Sequence, residues 1–185
     1  MSTATESTNS FTIVYPQLAD RLAEQLPGLW IDLDQDQLEQ PTEDYPLPYD
    51  SGVVLISFDE IDWQDLGQGV QRGEAVIRFT LAIQVVQDSY QHSAQRAAAM
   101  AKLQLLGDMH RALQHFAGDG FGALVRTYSR KEAQTQPGLW VYSQGYKCRL
   151  DDAAGYDGGT DEATDLDTVP EGRFVIDLLN VPPTY

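Results

Sequence analysis

The densest set of possible metal ligands is Asp32-Leu33-Asp34-Gln35-Asp36, with Glu43 at the twelfth place counted from Asp32. Carboxylates at places one, three, five and twelve are the oxygen ligands of a calcium-binding loop between two helices. Gln37, however, stands where that loop turns sharply on glycine, and Pro41 interrupts the exit that should become helix. If the segment is a strand, its aspartates line an exposed face, so no metal is expected. A calcium-responsive binding module built on Asp32, Asp34, Asp36 and Glu43 is kept as the rival reading. Asp157-Gly158-Gly159-Thr160-Asp161-Glu162 has the residue types of a calcium-binding nonapeptide but does not repeat, and it reads as linker.

Nucleophilic and acid–base chemistry find little to use. His110 and His115 lie five apart, which splays them on a helix. His110 falls near an apolar stripe and is expected at the core edge with one nitrogen satisfied. Cys148 alternates with Tyr146 and Leu150, so it reads as a small buried hydrophobe on a strand. There is no G-x-S-x-G elbow, no H-E-x-x-H and no phosphate-cradling G-x-x-x-x-G-K. No catalytic, cofactor-binding or metal-binding residue is assigned, and the chain reads as no enzyme.

The elements that must position these residues follow from periodicity. Phe11, Val14, Leu18, Leu22 and Leu26 recur at helical spacing and stop at Pro27-Gly28, with Pro16 expected near the first turn. Residues 29–33 are short and strand-like, 41–51 an extended proline-rich loop, and 53–58 an apolar strand central in a sheet. Gly67, Gly69 and Gly73 mark a turn or bulged hairpin. Ala75, Ile77, Phe79, Leu81, Ile83 and Val85 face one way, Arg78, Thr80 and Gln84 the other, which makes 75–86 the clearest strand. Ser93 is positioned to cap a helix to about Phe116, with Ala99, Met100, Leu103, Leu106, Leu113 and Phe116 as its buried stripe. Residues 123–131 and 139–150 form two further strands joined by a tight turn. The fold class is therefore α+β, a mostly antiparallel sheet with two helices packed on one face.

Four segments are expected: a disordered 1–10, a single domain over 11–150, a flexible acidic linker over 151–171, and a C-terminal strand or arm over 172–185. Of 185 residues, 28 are acidic and 12 basic, a net charge of −16. The layout is uneven: −13 over residues 1–69, +5 over 70–150 and −8 over 151–185. Such a chain has no basic surface for nucleic acid and should avoid anionic membrane. The N-terminal residues lack the pattern of a signal peptide, and no apolar run has the roughly 20 residues of a spanning helix. A lone cysteine excludes an intrachain disulfide and fits a reducing cytoplasm.

With chemistry so sparse, association is the better use of the unusual residues. Alternating acidic and basic segments could meet between identical subunits. Trp63, set in the polar stretch 62–69, is a candidate interface anchor, whereas Trp30 reads as core. Arg126, Arg130 and Lys131 form the most basic short segment, and Arg126 and Arg130 join the interface candidates. Phe174, Val175 and Ile176 complete them, lying in an apolar run suited to strand addition on a sheet edge.

One family resemblance joins these pieces. Leu26-Pro27-Gly28-Leu29-Trp30-Ile31-Asp32-Leu33-Asp34, then Tyr45-Pro46-Leu47-Pro48, Val53-Val54-Leu55-Ile56, Gly120-Phe121-Gly122-Ala123-Leu124-Val125-Arg126, Val141-Tyr142 and Tyr146 together resemble the tail-completion proteins of tailed phages and prophages, the group that includes tail terminators. The resemblance covers roughly residues 11–150. It implies a sheet with helices on one face and a homo-oligomeric ring, usually of six subunits, that caps the tail tube and ends its polymerisation. The implied partners are other copies of the chain, a tail tube protein and a head–tail connector protein. The implied location is the virion's tail–neck junction, with assembly in the host cytoplasm. A neck or head-completion protein is the alternative within that class. The family offers no catalytic residues to carry over. The acidic segment after Leu150 departs from its compact pattern.

Overall fold

The structure is a computed structural model, and it describes residues 9–40, 46–85, 87–133 and 138–155. In chain order the elements are α1 (Ser10–Gln25), β1 (Trp30–Leu33), β2 (Val53–Gly67), β3 (Val70–Gln84), α2 (Arg96–Leu113), β4 (Val125–Lys131) and β5 (Leu139–Asp152). The strands form one sheet in the order β1-β2-β3-β5-β4. β1 runs parallel to β2 and every other pairing is antiparallel, so the fold is the expected α+β class.

Both helices cover one face. Val14, Leu18, Leu22 and Leu26 of α1 and its exit, with Met109, Ala112 and Leu113 of α2, pack on Val54, Ile56, Ile77, Phe79, Leu81 and Tyr146. Phe79 and Tyr146 meet edge to face at 5.5 Å, an arrangement that aromatic rings favour. The second face holds a smaller cluster. There Leu38, with Leu47 and Tyr49 beside it, covers Val53, Leu55, Ala82, Leu139 and Val141. Covering both faces explains why Val53–Ile56 are buried without alternation. It also explains why Thr80, on the expected polar face, is buried and pairs its hydroxyl with Ser143 at 3.1 Å.

Several local expectations are corrected. α1 begins at Ser10, where the Asn9 side chain accepts the Thr12 N–H, so residues 9 and 10 are ordered; residues 1–8 lie outside the described residues. Ser10 N–H also donates to the Asp152 carboxylate at 3.0 Å, tying the helix start to the end of β5. Pro16 lies inside α1 rather than in its first turn. α2 starts at Arg96 behind Gln95, which makes no side-chain cap; Ser93 Oγ accepts only the Gln95 N–H. The buried stripe of α2 is Ala99, Met109, Ala112 and Leu113. Leu103 and Leu106 are half-buried and Met100 is exposed, because at 3.6 residues per turn Met100 lies on the opposite side of the helix from Met109, whose side faces the sheet. Phe116 lies beyond the helix. Trp30, expected in the core, is 42% exposed, since β1 is an edge strand only four residues long.

Gly73 belongs to β3 and not to the turn. A Cβ there would come within 2.5 Å of Ile61 and 2.9 Å of Trp63, so its bareness is what lets those side chains fold across the strand. The turn itself is Gly67-Gln68-Gly69, with all three residues at positive φ. β5 continues to Asp152, so the first two residues of the expected linker are strand; residues 156–185 lie outside the described residues.

Candidate functional site

β2 and β3 are 15 residues each and β5 is 14, against a usual strand length of about 5–6. Their near halves are the sandwiched core. Their far halves run on toward the Gly67–Gly69 turn; there Cys148 and Leu150 of β5 stay in the core, whereas β2 beyond Phe58 forms an exposed blade. A bulge between Phe58 and Glu60 resets the alternation of β2. Beyond it, Ile61 and Trp63 lie on the helix side, packed against the core margin, while Glu60, Asp62 and Gln64 lie on the open side, level with Val76, Glu74 and Arg72.

β4 forms the other edge. It pairs only with β5, again through a bulge, between Arg126 and Tyr128. The Tyr128 ring lies over Gly145, where a Cβ would come within 2.1 Å of it. Arg130 stacks on that ring at 5.0 Å and donates to Glu132 at 2.7 Å. Burial works against the Glu132 charge, but hydrogen bonds from Arg130 and Ser143 prevail and hold its pKa below the usual carboxylate value. The first N–H of the edge, that of Arg126, is taken by the Gln114 side chain at 3.1 Å. The side chains of Arg126 and Lys131 are exposed and carry no hydrogen bond or ion pair among the described residues.

Between these edges, on the face without helices, lies an open groove of about 610 Å³ bordered by Asp62, Gln64, Glu74, Val125, Thr127 and Lys147. Its floor is laced by ion pairs: Lys147–Glu74 at 2.5 Å, Arg72–Asp151 at 2.7 Å and Arg149–Asp151 at 3.3 Å. Arg78 likewise reaches Asp59 at 3.2 Å and Asp34 at 3.6 Å. Much of the basic middle segment is thus answered within its own subunit, and the pairing expected between subunits is confined to fewer groups.

The residues singled out in the sequence are spread rather than gathered. Trp63 is on the β2 edge, and Arg126 and Arg130 are on the β4 edge, at opposite ends of the sheet order. Phe174, Val175 and Ile176 lie outside the described residues, as does Glu43. Asp34 and Asp36 enter a turn that Gln37 closes by donating to the Leu33 carbonyl. Asp34 is engaged by Arg78, and no group of three or more His, Cys, Asp or Glu side chains forms a metal site among the described residues. Cys148 is buried, and burial raises its thiol pKa to about 12, which leaves it inert as a nucleophile.

One polar chain was not anticipated in full. Tyr146 OH donates to Gln144 Oε1 at 2.8 Å, so the 3.1 Å contact with His110 is a donation from His110 Nδ1–H, and Gln144 Nε2 donates to the Leu106 carbonyl. Burial, then the nearby Arg126 and His115, lower the His110 pKa. This network locks α2 to β5. Alternation placed Tyr146 and Gln144 on one face; only the packing of α2 brought His110 to them.

No family model matches the chain, and no curated protein matches it. Among solved structures, the chain is similar to one from the virion of a native gene transfer agent particle, at 12% identity and a TM-score of 0.40, over 80% of this chain and 99% of the other. A likeness at that level carries no argument about fold or function.

Proposed function

We propose that this chain is a structural assembly protein of a phage-type tail, a terminator whose copies form a ring, of six by family resemblance, that caps the tail tube, ends its polymerisation and joins it to the head-side connector. The observation that carries the reading is the blade: strands about two and a half times the usual length, with two strand edges left unpaired among the described residues. A free edge is a template for another strand, and a monomer ordinarily blunts it. Here the edges remain available among the described residues, which also hold no group of three or more His, Cys, Asp or Glu side chains placed for a metal. The net charge of −16 agrees with a ring through which DNA passes without being held. The motifs that resemble tail-completion proteins supply the specific identity.

The test is light scattering and negative-stain imaging of the full chain, followed by its addition to a polymerising tail tube protein from the same genome. The expected outcome is an annular oligomer that shortens the tubes in proportion to its amount. A chain that stays monomeric and leaves tube length unchanged would overturn the proposal.

A further inference from the structure

The two free edges of the sheet carry opposite charge. Among the described residues the outer edge of β2 is unpaired over residues 57–67, because β1 covers only Val53–Ile56, and it bears Asp59, Glu60, Asp62 and Asp65. The β4 edge bears Arg126, Arg130 and Lys131. We infer that the β4 edge of one copy adds to the free β2 edge of the next, so that a second copy of this chain continues the sheet. This rests on the ring reading above and names the surfaces that would build it.

Three features of the sheet favour this pairing. The first is direction. β3 is antiparallel to β2, β5 to β3 and β4 to β5, so β4 runs opposite to β2. Copies related by rotation about an axis to which the strands are tilted, as in a barrel, therefore join antiparallel, the pattern that strand addition uses most readily. The second is charge. Pairing β4 with β4 would set Arg126, Arg130 and Lys131 against themselves, and pairing β2 with β2 would do the same with its acids; like charges placed opposite are unfavourable. Only the unlike pairing is complementary, and it is head-to-tail, the kind that closes into a ring.

The third is level. Val125 is level with Glu60 through Lys147 and Val76, and Lys131 is level with Val54 through Tyr142 and Leu81. The free part of β2 lies mostly farther toward the turn, so successive copies step along the strand direction. A sheet that closes on itself needs such a stagger. On the open face, Arg130 then meets Glu60 and Asp62; on the helix face, Arg126 and Lys131 meet Asp65 and Trp63. The three interface candidates that a single copy holds apart become the two halves of one contact.

The experiment uses the full chain in two variants, R130E and E60K with D62K, measured by light scattering and sedimentation. Each alone should dissociate the oligomer, with a dissociation constant at least 100-fold weaker, while the far-ultraviolet circular dichroism stays that of the parent. Mixing the two should restore the oligomer, because each altered edge finds its complement in the other variant. Rising salt should weaken the parent, as screening shortens the reach of charge to about 10 Å at 0.1 M. If both variants keep the parental mass, or if mixing fails to rescue, the edge pairing is overturned and the ring must rest on other contacts. If the parent itself is monomeric, the ring reading falls with it. As a measurement independent of charge, E60C and R130C chains mixed with a bis-maleimide should give cross-linked pairs, Cys148 being buried; no cross-link in an intact oligomer also overturns the pairing.

Discussion

The near and far halves of β2 and β3 are made of the same two strands and have opposite fates. Near the helices, Val53 to Ile56 and Ala75 to Ile83 are sealed on one face by α1 and α2 and, in part, on the other by Leu38, Leu47 and Tyr49. Toward the turn, from Asp59 to Gly67, the same hairpin keeps only Ile61 and Trp63 partly covered, and the rest is exposed. Hydrogen bonding is continuous between the halves, so the difference is one of side-chain cover and not of backbone order. One half of a strand specifies the monomer, and the other is left for a partner.

The comparison is broken most severely in the core. Phe79→Ala should destabilise the chain by about 3–5 kcal/mol in urea unfolding, through the removed ring and the cavity beside Tyr146. Trp63→Ala, its counterpart on the blade, should lose no more than about 1–2 kcal/mol and should weaken assembly instead, since its side chain is only partly buried. Equal losses at the two sites would abolish the distinction.

Gly145→Ala tests the boundary of the basic edge. The added methyl must displace the Tyr128 ring, for about 1–3 kcal/mol as overpacking typically costs. It should also loosen the seat of Arg130, read as faster amide exchange along β4.

Acid should act where the helices are tied to the sheet. Asp152 is the clasp for α1: burial disfavours its charge, but the N–H groups of Ala154 and Ser10 hold its pKa below the usual value. A carboxylate lowered on folding adds stability that is full above its unfolded pKa of about 4 and is lost as pH falls through the folded value. His110, lowered chiefly by burial, stays neutral in the fold. Its contribution is full above about pH 6.5 and is lost as pH falls below that. Melting temperature should therefore decline in two stages on acidification. D152N should lower stability near neutrality by about 1–2 kcal/mol and flatten the lower stage, and His110→Asn should flatten the upper. A profile unchanged by either variant would deny them that role.

The smallest effects are expected where sequence and structure part company on α2. Met100→Ala, at an exposed position, should stay within about 0.5 kcal/mol of the parent, well below any change at Met109. The blade substitutions E60K and D62K belong to the same class for folding and to the largest class for assembly, which makes them the sharpest single contrast between the halves.

Much of this was legible beforehand because periodicity is local. The spacing of Leu18 and Leu22 gives an amphipathic helix wherever it lies, and Ile77, Phe79 and Leu81 share a face of any strand that holds them. Cys148 and His110 could be read as packing residues for the same reason. What the chain alone left open was which face each element would cover. Met100 and Met109 lie on opposite sides of α2, and packing set the side of Met109 on the sheet; Trp30 is apolar, but β1 became a four-residue edge. Thr80 and Ser143 are polar, yet a loop far along the chain folds over them.

Composition and local pattern determined the α+β class, the elements and the segmental charge. The strand order β1-β2-β3-β5-β4 was decided by tertiary structure alone, and it is that order which sends the acids of β2 and the bases of β4 to opposite edges. Charge along a chain is a property of residues in order; complementarity between surfaces depends on where distant segments come to lie, and that is set by which faces bury most apolar area.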